Sequence, residues 1–168
     1  MSIPEPFEMP KFACDDMLGK LARQLRTIGY FADYFRRIDD SELVRFAAEN
    51  GRILLTRDTL ILPRKNLGPH LFIESDHVEQ QLEQVVNELR LRVDTERFFT
   101  ICLICNTALV HIDRASVKDK VPPYVFQTQK TFSRCPSCEK IYWPATHKRN
   151  MEQRICAMVS CRERGATE

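Results

Sequence analysis

The chain has 168 residues, of which 43% are hydrophobic and 29% charged, and its formal net charge at pH 7 is +2. This length suits one full domain with a small appendage, and no apolar run is long enough to cross a bilayer. The start of the chain lacks the charged and apolar regions of a secretory signal, which predicts a cytosolic protein. Because the net charge is small, any argument for a nucleic-acid partner depends on local charge clusters.

The first half of the sequence alternates short apolar runs with helical patterns. We predict strands at 11–14, 30–35, 52–56 and 71–73, and helices at 17–28, after Asp39-Asp40-Ser41, and at 78–91. Gly29 provides a stop for the first helix, and Asp39-Asp40-Ser41 a cap for the second. Alternating strands and helices predict an α/β fold in which helices cover both faces of a parallel sheet.

The character of the sequence changes after about Arg97. Turn residues, Pro122-Pro123 and the β-prone runs Tyr124–Phe126 and Ile141–Trp143 replace the helical pattern. We therefore predict three regions, with an α/β domain at 1–97, a small hairpin unit at 98–150 and a basic polar tail at 151–168.

Two Cys-x-x-Cys pairs lie in the second region. They are Cys102 with Cys105, and Cys135 with Cys138. Four thiolates on two tight turns match the tetrahedral requirement of a structural Zn²⁺, which would supply folding energy to a small core. In a reducing compartment we expect the cysteines to be metal ligands or free thiols and not disulfides. Cys14 is expected in the core, while Cys156 and Cys161 have no clear ligand spacing.

Acidic residues follow two of the predicted strands. Asp15 and Asp16 come after the first, and Asp58 comes after the third. Ligands of parallel sheets bind beyond the carboxyl ends of the strands, and at least one of Asp39 and Asp40 could reach the same edge. Like charges so close raise each other's pKa unless a hard cation neutralises them, so Mg²⁺ or Mn²⁺ is the natural occupant.

The same acids also resemble those of a response-regulator receiver domain, in which an Asp after the third strand accepts a phosphoryl group. A receiver needs a Thr or Ser after the fourth strand and a Lys after a fifth. Here Glu74-Ser75-Asp76 follows the fourth strand, and a helix then leads into the cysteine region. Ser75 could serve, but the fifth strand with its lysine is missing from the pattern.

A second resemblance covers nearly the whole chain before the tail. Its first motif is Phe12–Arg26 followed by Gly29-Tyr30. This motif is similar to the opening signature of the Mut7-C RNase family, a branch of the PIN-like nucleases fused to a zinc ribbon. Further blocks in the family's order are Ile53–Asp58, Cys102–Asn106, Val121-Pro122, Cys135–Cys138 and Tyr142–His147. Gln24 stands where a tryptophan is common, and Ala145 where a glycine is common.

The resemblance implies a PIN-like fold with metal-dependent RNA cleavage. By position, it makes Asp15 and Asp58 the best ligands for Mg²⁺ or Mn²⁺ and Asp40 the third, with Asp16 and Asp39 as adjacent alternatives. The expected reaction is in-line attack of a metal-activated water on a phosphodiester.

Basic residues accompany these acids. Lys20, Arg23 and Arg26 recur every three residues on the first predicted helix, and Arg57 directly precedes Asp58. Such groups could position RNA phosphates, although they could also be an ordinary solvated helix face. We therefore predict a ribonuclease whose ribbon aids RNA binding. The alternative is a non-catalytic RNA- or protein-binding module on a PIN-like scaffold.

Overall fold

The computed structural model describes residues 9–144 and 146–162, and the side chains of residues 146, 147 and 162 are outside this description. Its strands are β1 (Phe12–Cys14), β2 (Ala32–Tyr34), β3 (Ile53–Thr56), β4 (His70–Phe72), β5 (Val93–Asp94), β6 (Val110–Ile112), β7 (Phe132–Arg134), β8 (Ile141–Tyr142) and β9 (Cys161–Arg162). Its α-helices are α1 (Gly19–Thr27), α2 (Asp40–Glu49), α3 (Val78–Glu88), α4 (Pro123–Thr128) and α5 (Thr146–Met158), and short 3₁₀ helices lie at Asp16–Leu18, Thr95–Arg97 and Arg114–Val117.

The main sheet has the order β2-β1-β3-β4, and all its strands run parallel. Neighbouring residues of β1 point to opposite faces, as strand geometry requires. Phe12 and Cys14 enter a core formed with α1 and α3, whereas Ala13 enters a second core formed with α2. This arrangement confirms the predicted α/β fold with helices on both faces. Burial also raises the pKa of the Cys14 thiol, so this cysteine is an inert core residue.

The cysteine-containing unit has its own small sheet, β6-β7-β8, which is antiparallel. Val117, Val121 and Phe132 form its core. The predicted β-prone run at 124–126 is wrong, because these residues lie inside α4. The two prolines explain the difference: Pro122 is the N-cap and Pro123 the first helical residue, where a missing N–H costs nothing.

Residues 151–162 of the predicted polar tail form the end of a helix and a strand, and residues 163–168 lie outside the described part of the chain. α5 ends at Met158, and β9 then pairs in parallel with β5 of the first region. Ile155 and Val159 are buried in the same core as α1 and α3. The sequence concealed this role because only a narrow apolar stripe, spaced four residues apart, interrupts a polar stretch.

Cys156 and Cys161 form a disulfide, contrary to our expectation that the cysteines are ligands or free thiols. The chain turns between the end of α5 and β9, which brings the two Cα atoms to 5.2 Å. This distance lies within the range that a disulfide spans. The five remaining cysteines are free thiols. None of the described helices is long and apolar enough to cross a membrane.

Gly29 ends α1 as predicted, with a φ of +86°. Its N–H donates to the carbonyl of Arg26, and the N–H of Tyr30 reaches back to the carbonyl of Leu25, as in a helix C-cap. A Cβ added at Gly29 would lie 2.7 Å from the carbonyl oxygen of Arg97. Both the backbone angle and the space therefore require glycine here.

We expect Gly29→Ala to lower the free energy of unfolding by about 2 to 4 kcal/mol, which combines left-handed backbone strain with a steric clash. Gly51→Ala is the matched control. Gly51 also has a positive φ, of +59°, but nothing lies within 4 Å of an added Cβ, so the cost should be only about 1 kcal/mol. Urea denaturation measures both, and equal losses would contradict the role of the Arg97 contact.

Candidate active site and cysteine centre

Asp15 follows β1 at the carboxyl edge of the main sheet, and it is only 4% exposed. Its Oδ2 accepts hydrogen bonds of 2.7 Å from the Thr56 hydroxyl and from the backbone N–H of Arg57, and its Oδ1 accepts one of 2.9 Å from Met17 N. A carboxylate has about four acceptor positions, so this one is held in a fixed orientation with capacity left for a further ligand.

Thr56 connects Asp15 to Asp58. Its hydroxyl donates to Asp15 and accepts a 2.9 Å hydrogen bond from the backbone N–H of Asp58. Asp58 is half-buried, and its Oδ1 accepts from the N–H of Leu60, whereas its Oδ2 has no partner in the described part of the chain. We did not predict a role for Thr56. The signal was present in the sequence, since a hydroxyl at a strand end lies two residues before an acid.

The other predicted acids lie apart from this pair. Asp40 begins α2, and its Oδ2 is 3.0 Å from Nη2 of Arg64. Asp39 caps α2 by accepting from the N–H of Ser41, and this hydrogen bond lowers the pKa of Asp39. Asp16 is exposed in the 3₁₀ helix after Asp15. Within residues 9–144 and 146–162, Asp15, Asp40 and Asp58 do not form a group whose ligand atoms all lie within 4.8 Å.

A groove of about 750 Å³ runs from this edge of the sheet along α1. Lys20, Arg23 and Arg57 line it, and their side chains have no hydrogen-bond or ion-pair partner in the described part of the chain. Asp16 and Asp76 line it as well. We did not predict Asp76 here, because the groove is formed by segments that are distant in the sequence. Cations without protein partners are available to bind phosphate.

Arg26 also lines the groove, but it is only 6% exposed and its guanidinium is engaged. Nε and Nη2 donate to the carbonyl of Ala32 at 3.0 and 2.7 Å. Nη1 donates to the carbonyls of Leu103 and Ile104 at 2.8 and 3.2 Å. Helical spacing groups Arg26 with Lys20 and Arg23. Because its guanidinium donates to backbone carbonyls on both sides, Arg26 is not among the free cations of the groove.

The four predicted cysteines meet in one cluster. Among the described residues, they are the one group of three or more His, Cys, Asp or Glu side chains whose ligand atoms all lie within 4.8 Å of one another. The Sγ atoms of Cys102 and Cys138 are 3.8 Å apart. A tetrahedron with metal–sulfur distances of about 2.3 Å has edges of about 3.8 Å, so the cluster fits Zn²⁺.

Both cysteine turns have the same backbone pattern. In the first, Cys102 N donates to the carbonyl of Thr107, and Asn106 N donates to the carbonyl of Cys102. The second turn repeats these two bonds at the corresponding positions, from Cys135 to Lys140 and from Glu139 to Cys135. The residue after each pair, Asn106 or Glu139, has a positive φ near 60°. This repetition presents two sulfurs from each turn toward a common centre.

The surroundings of Cys102 favour its thiolate. Burial alone raises the pKa of this thiol. Hydrogen bonds from the Tyr142 hydroxyl, 3.1 Å from its Sγ, and from the backbone N–H of Cys105, together with weaker contacts, lower the pKa of Cys102 to about 6. The hydrogen bond with Cys138 instead raises the pKa of Cys105 to about 12, so metal binding, which requires thiolates, has to displace its proton.

A parallel α/β domain with acids at the carboxyl edge, joined to a four-cysteine unit, is the architecture expected for a PIN-like nuclease domain with a zinc ribbon. The family model of the Mut7-C RNAse domain matches residues 10–155, and the chain belongs to this family. Comparisons with curated proteins and with solved structures found no match. Membership supports a nuclease-type protein with an RNA substrate.

We expect the purified protein to contain about one equivalent of Zn²⁺ and Cys138→Ser to lose most of it, because three thiolates bind zinc far more weakly than four. Elemental analysis measures the content, and thermal unfolding reports the lost stability. Cys14→Ala is the control, since Cys14 is a free thiol outside the cluster. Less than about half an equivalent in fresh wild-type protein would count against a zinc site.

Proposed function

We propose that this chain is a Mg²⁺- or Mn²⁺-dependent ribonuclease that hydrolyses RNA phosphodiester bonds at the carboxyl edge of its parallel sheet. The observation that carries the proposal is the pair of Asp15 and Asp58, linked through Thr56. Their chain neighbours Asp16 and Arg57 line the groove that contains Lys20 and Arg23. Membership of the Mut7-C RNAse family supports the same reaction class.

Asp15 and Asp58 are the proposed metal ligands. The donor set suits a hard cation, because it consists of carboxylate oxygens and because Asp58 Oδ2 has no competing partner among the described residues. Asp40 is the proposed third ligand and has to release Arg64 in order to bind. A bound Mg²⁺ or Mn²⁺ supplies Lewis-acid activation of water and neutralises charge at the phosphate. Asp16 and Asp39 stay as alternatives.

Lys20, Arg23 and Arg57 are the proposed phosphate contacts. Lys20 and Arg23 are three residues apart on α1 and therefore share one helix face. Arg57 is held beside Asp15 by its own backbone N–H. These cations would hold the RNA backbone over the carboxylates and neutralise its charge, with no need to recognise individual bases.

A non-catalytic RNA-binding module is the second candidate function. One observation favours it: Asp15, Asp40 and Asp58 do not form a preassembled ligand group among the described residues, and Asp40 is paired with Arg64. In that case the groove would bind RNA without cleaving it. Cleavage assays therefore discriminate between the two functions.

We expect Asp15→Asn and Asp58→Asn each to reduce RNA cleavage in Mg²⁺ or Mn²⁺ by about 100-fold or more, because each removes a charged metal ligand. Asp113→Asn is the matched control. Like Asp15, Asp113 accepts a hydrogen bond from the N–H two residues ahead, but it lies in the cysteine unit. Cleavage that persists in both variants would point to a contaminant or another site. Wild-type protein that binds RNA but never cleaves it would favour the second candidate.

Thr56 should act as a positioning residue. Thr56→Val keeps the volume but removes the hydroxyl that connects Asp15 and Asp58, so we expect about a 10- to 100-fold loss of activity and weaker activation by Mg²⁺. Thr56→Ser restores the hydroxyl and should retain most of the activity. Metal titrations of the cleavage rate measure this difference, and equal behaviour of the Val and Ser variants would contradict the role.

A further inference from the structure

We propose that the first cysteine turn, Cys102–Cys105, is a wall of the RNA groove and that Arg26 and Asn106 hold it in place. Zinc would then support RNA binding directly, in addition to stabilising the cysteine unit. This inference rests on the proposed function, because it assigns RNA to the same groove.

The lining of the groove is chemically mixed. Lys20 and Arg23 on α1 supply positive charge, while Leu103 and Ile104, the two residues between Cys102 and Cys105, supply apolar surface. Ile104 is 58% exposed, and Met17, which also lines the groove, is 60% exposed. A single RNA strand presents both phosphates and base faces, so it is complementary to a groove whose lining contains both cations and apolar side chains.

Exposed apolar side chains are rare in the described part of the molecule, which makes their position informative. The large ones are Met17, Leu60, Ile104, Val110 and Tyr124. Two of these five lie in one groove beside unpaired cations, although they come from segments more than 80 residues apart. Exposed apolar side chains that share one groove mark a binding site more often than scattered ones do.

Arg26 fixes the turn to the main domain. Its Nη1 donates to the carbonyls of Leu103 and Ile104, the same two residues that line the groove. Its Nε and Nη2 hold the carbonyl of Ala32 in β2. One buried guanidinium therefore connects α1, the sheet and the cysteine turn. Hydrogen bonds from a buried charged donor are stronger than neutral ones and fix geometry well.

Asn106 provides a second connection at the edge of the sheet. Its Oδ1 accepts from the backbone N–H of Ala32, and its Nδ2 donates to the carboxylate of Asp33, both at 2.8 Å. β2 is an edge strand, so these groups have no strand on that side to pair with. Arg26 bonds to the two residues before Cys105, and Asn106 directly follows it. We therefore expect that loss of zinc from Cys105 would disturb both sets of hydrogen bonds.

The first test is Ile104→Asp, measured by binding of a fluorescein-labelled single-stranded RNA. All proteins carry Asp58→Asn so that the probe stays intact. Ile104 is largely exposed, so the variant should fold and keep its zinc, while the new negative charge should weaken RNA binding about five- to tenfold. Tyr124→Asp is the matched control, because Tyr124 is 74% exposed and lies outside the groove, and it should bind as the parent does.

The second test is Asn106→Gly, with Asp58 intact. Glycine tolerates the φ of +56° at this position, so the variant removes the side-chain hydrogen bonds to Ala32 and Asp33 without adding backbone strain. We expect a raised KM for RNA cleavage with kcat nearly unchanged, and the same raised KM in wild-type protein depleted of zinc. If Asn106 only stabilised the fold, Asn106→Gly would lower the thermal stability and leave the KM at low temperature unchanged.

The outcomes separate this inference from the proposed function. If wild-type protein cleaves RNA but Ile104→Asp binds as tightly as Tyr124→Asp, or Asn106→Gly leaves KM unchanged, the groove-wall inference is overturned and the ribonuclease assignment stands. If wild-type protein neither binds nor cleaves RNA, the proposed function fails and this inference fails with it.

Discussion

The parallel pairing of β1 with β3 is the constraint on which the site depends. It places the residues that follow both strands at the same edge, where the N–H of Asp15 donates to the carbonyl of Leu55. A nearly buried carboxylate is costly unless donors surround it, and β3 supplies the hydroxyl of Thr56 and the next backbone N–H. A slip of one residue in this register would remove both donors and reverse the faces on which Phe12 and Cys14 lie.

Local patterns predicted the features that depend on few residues. The strands and helices of the first half, the glycine that ends α1 and the four clustered cysteines followed from periodicity, turn chemistry and spacing. The partners of Arg26 were not predictable, because two of the carbonyls that accept its hydrogen bonds lie in the cysteine turn, 77 and 78 residues further along the chain. A pattern on one helix shows that a side chain shares a face with its neighbours, but it does not show what covers that face.

The net charge of the whole molecule and the local charge of the groove carry different information about a partner. A formal charge of +2 spread over 168 residues says little about a partner. Lys20, Arg23 and Arg57 become informative only because the fold brings them to one groove and leaves them unpaired among the described residues. Arg52 and Arg64, in contrast, are paired with Asp33 and Asp40. Pairing within the fold therefore distinguishes the arginines that hold the protein together from those that are available for a ligand.

The return of α5 and β9 to the main core changes how the cysteine unit is connected. The chain leaves the first region after β5 and comes back through Ile155, Val159 and the pairing of β9 with β5. Topologically the zinc ribbon is thus an insertion within one domain and not an appendage at its end. A chain shortened just before α5 would lose part of the main core, and a single proteolytic cut inside the ribbon would leave two fragments that both contribute side chains to the same core.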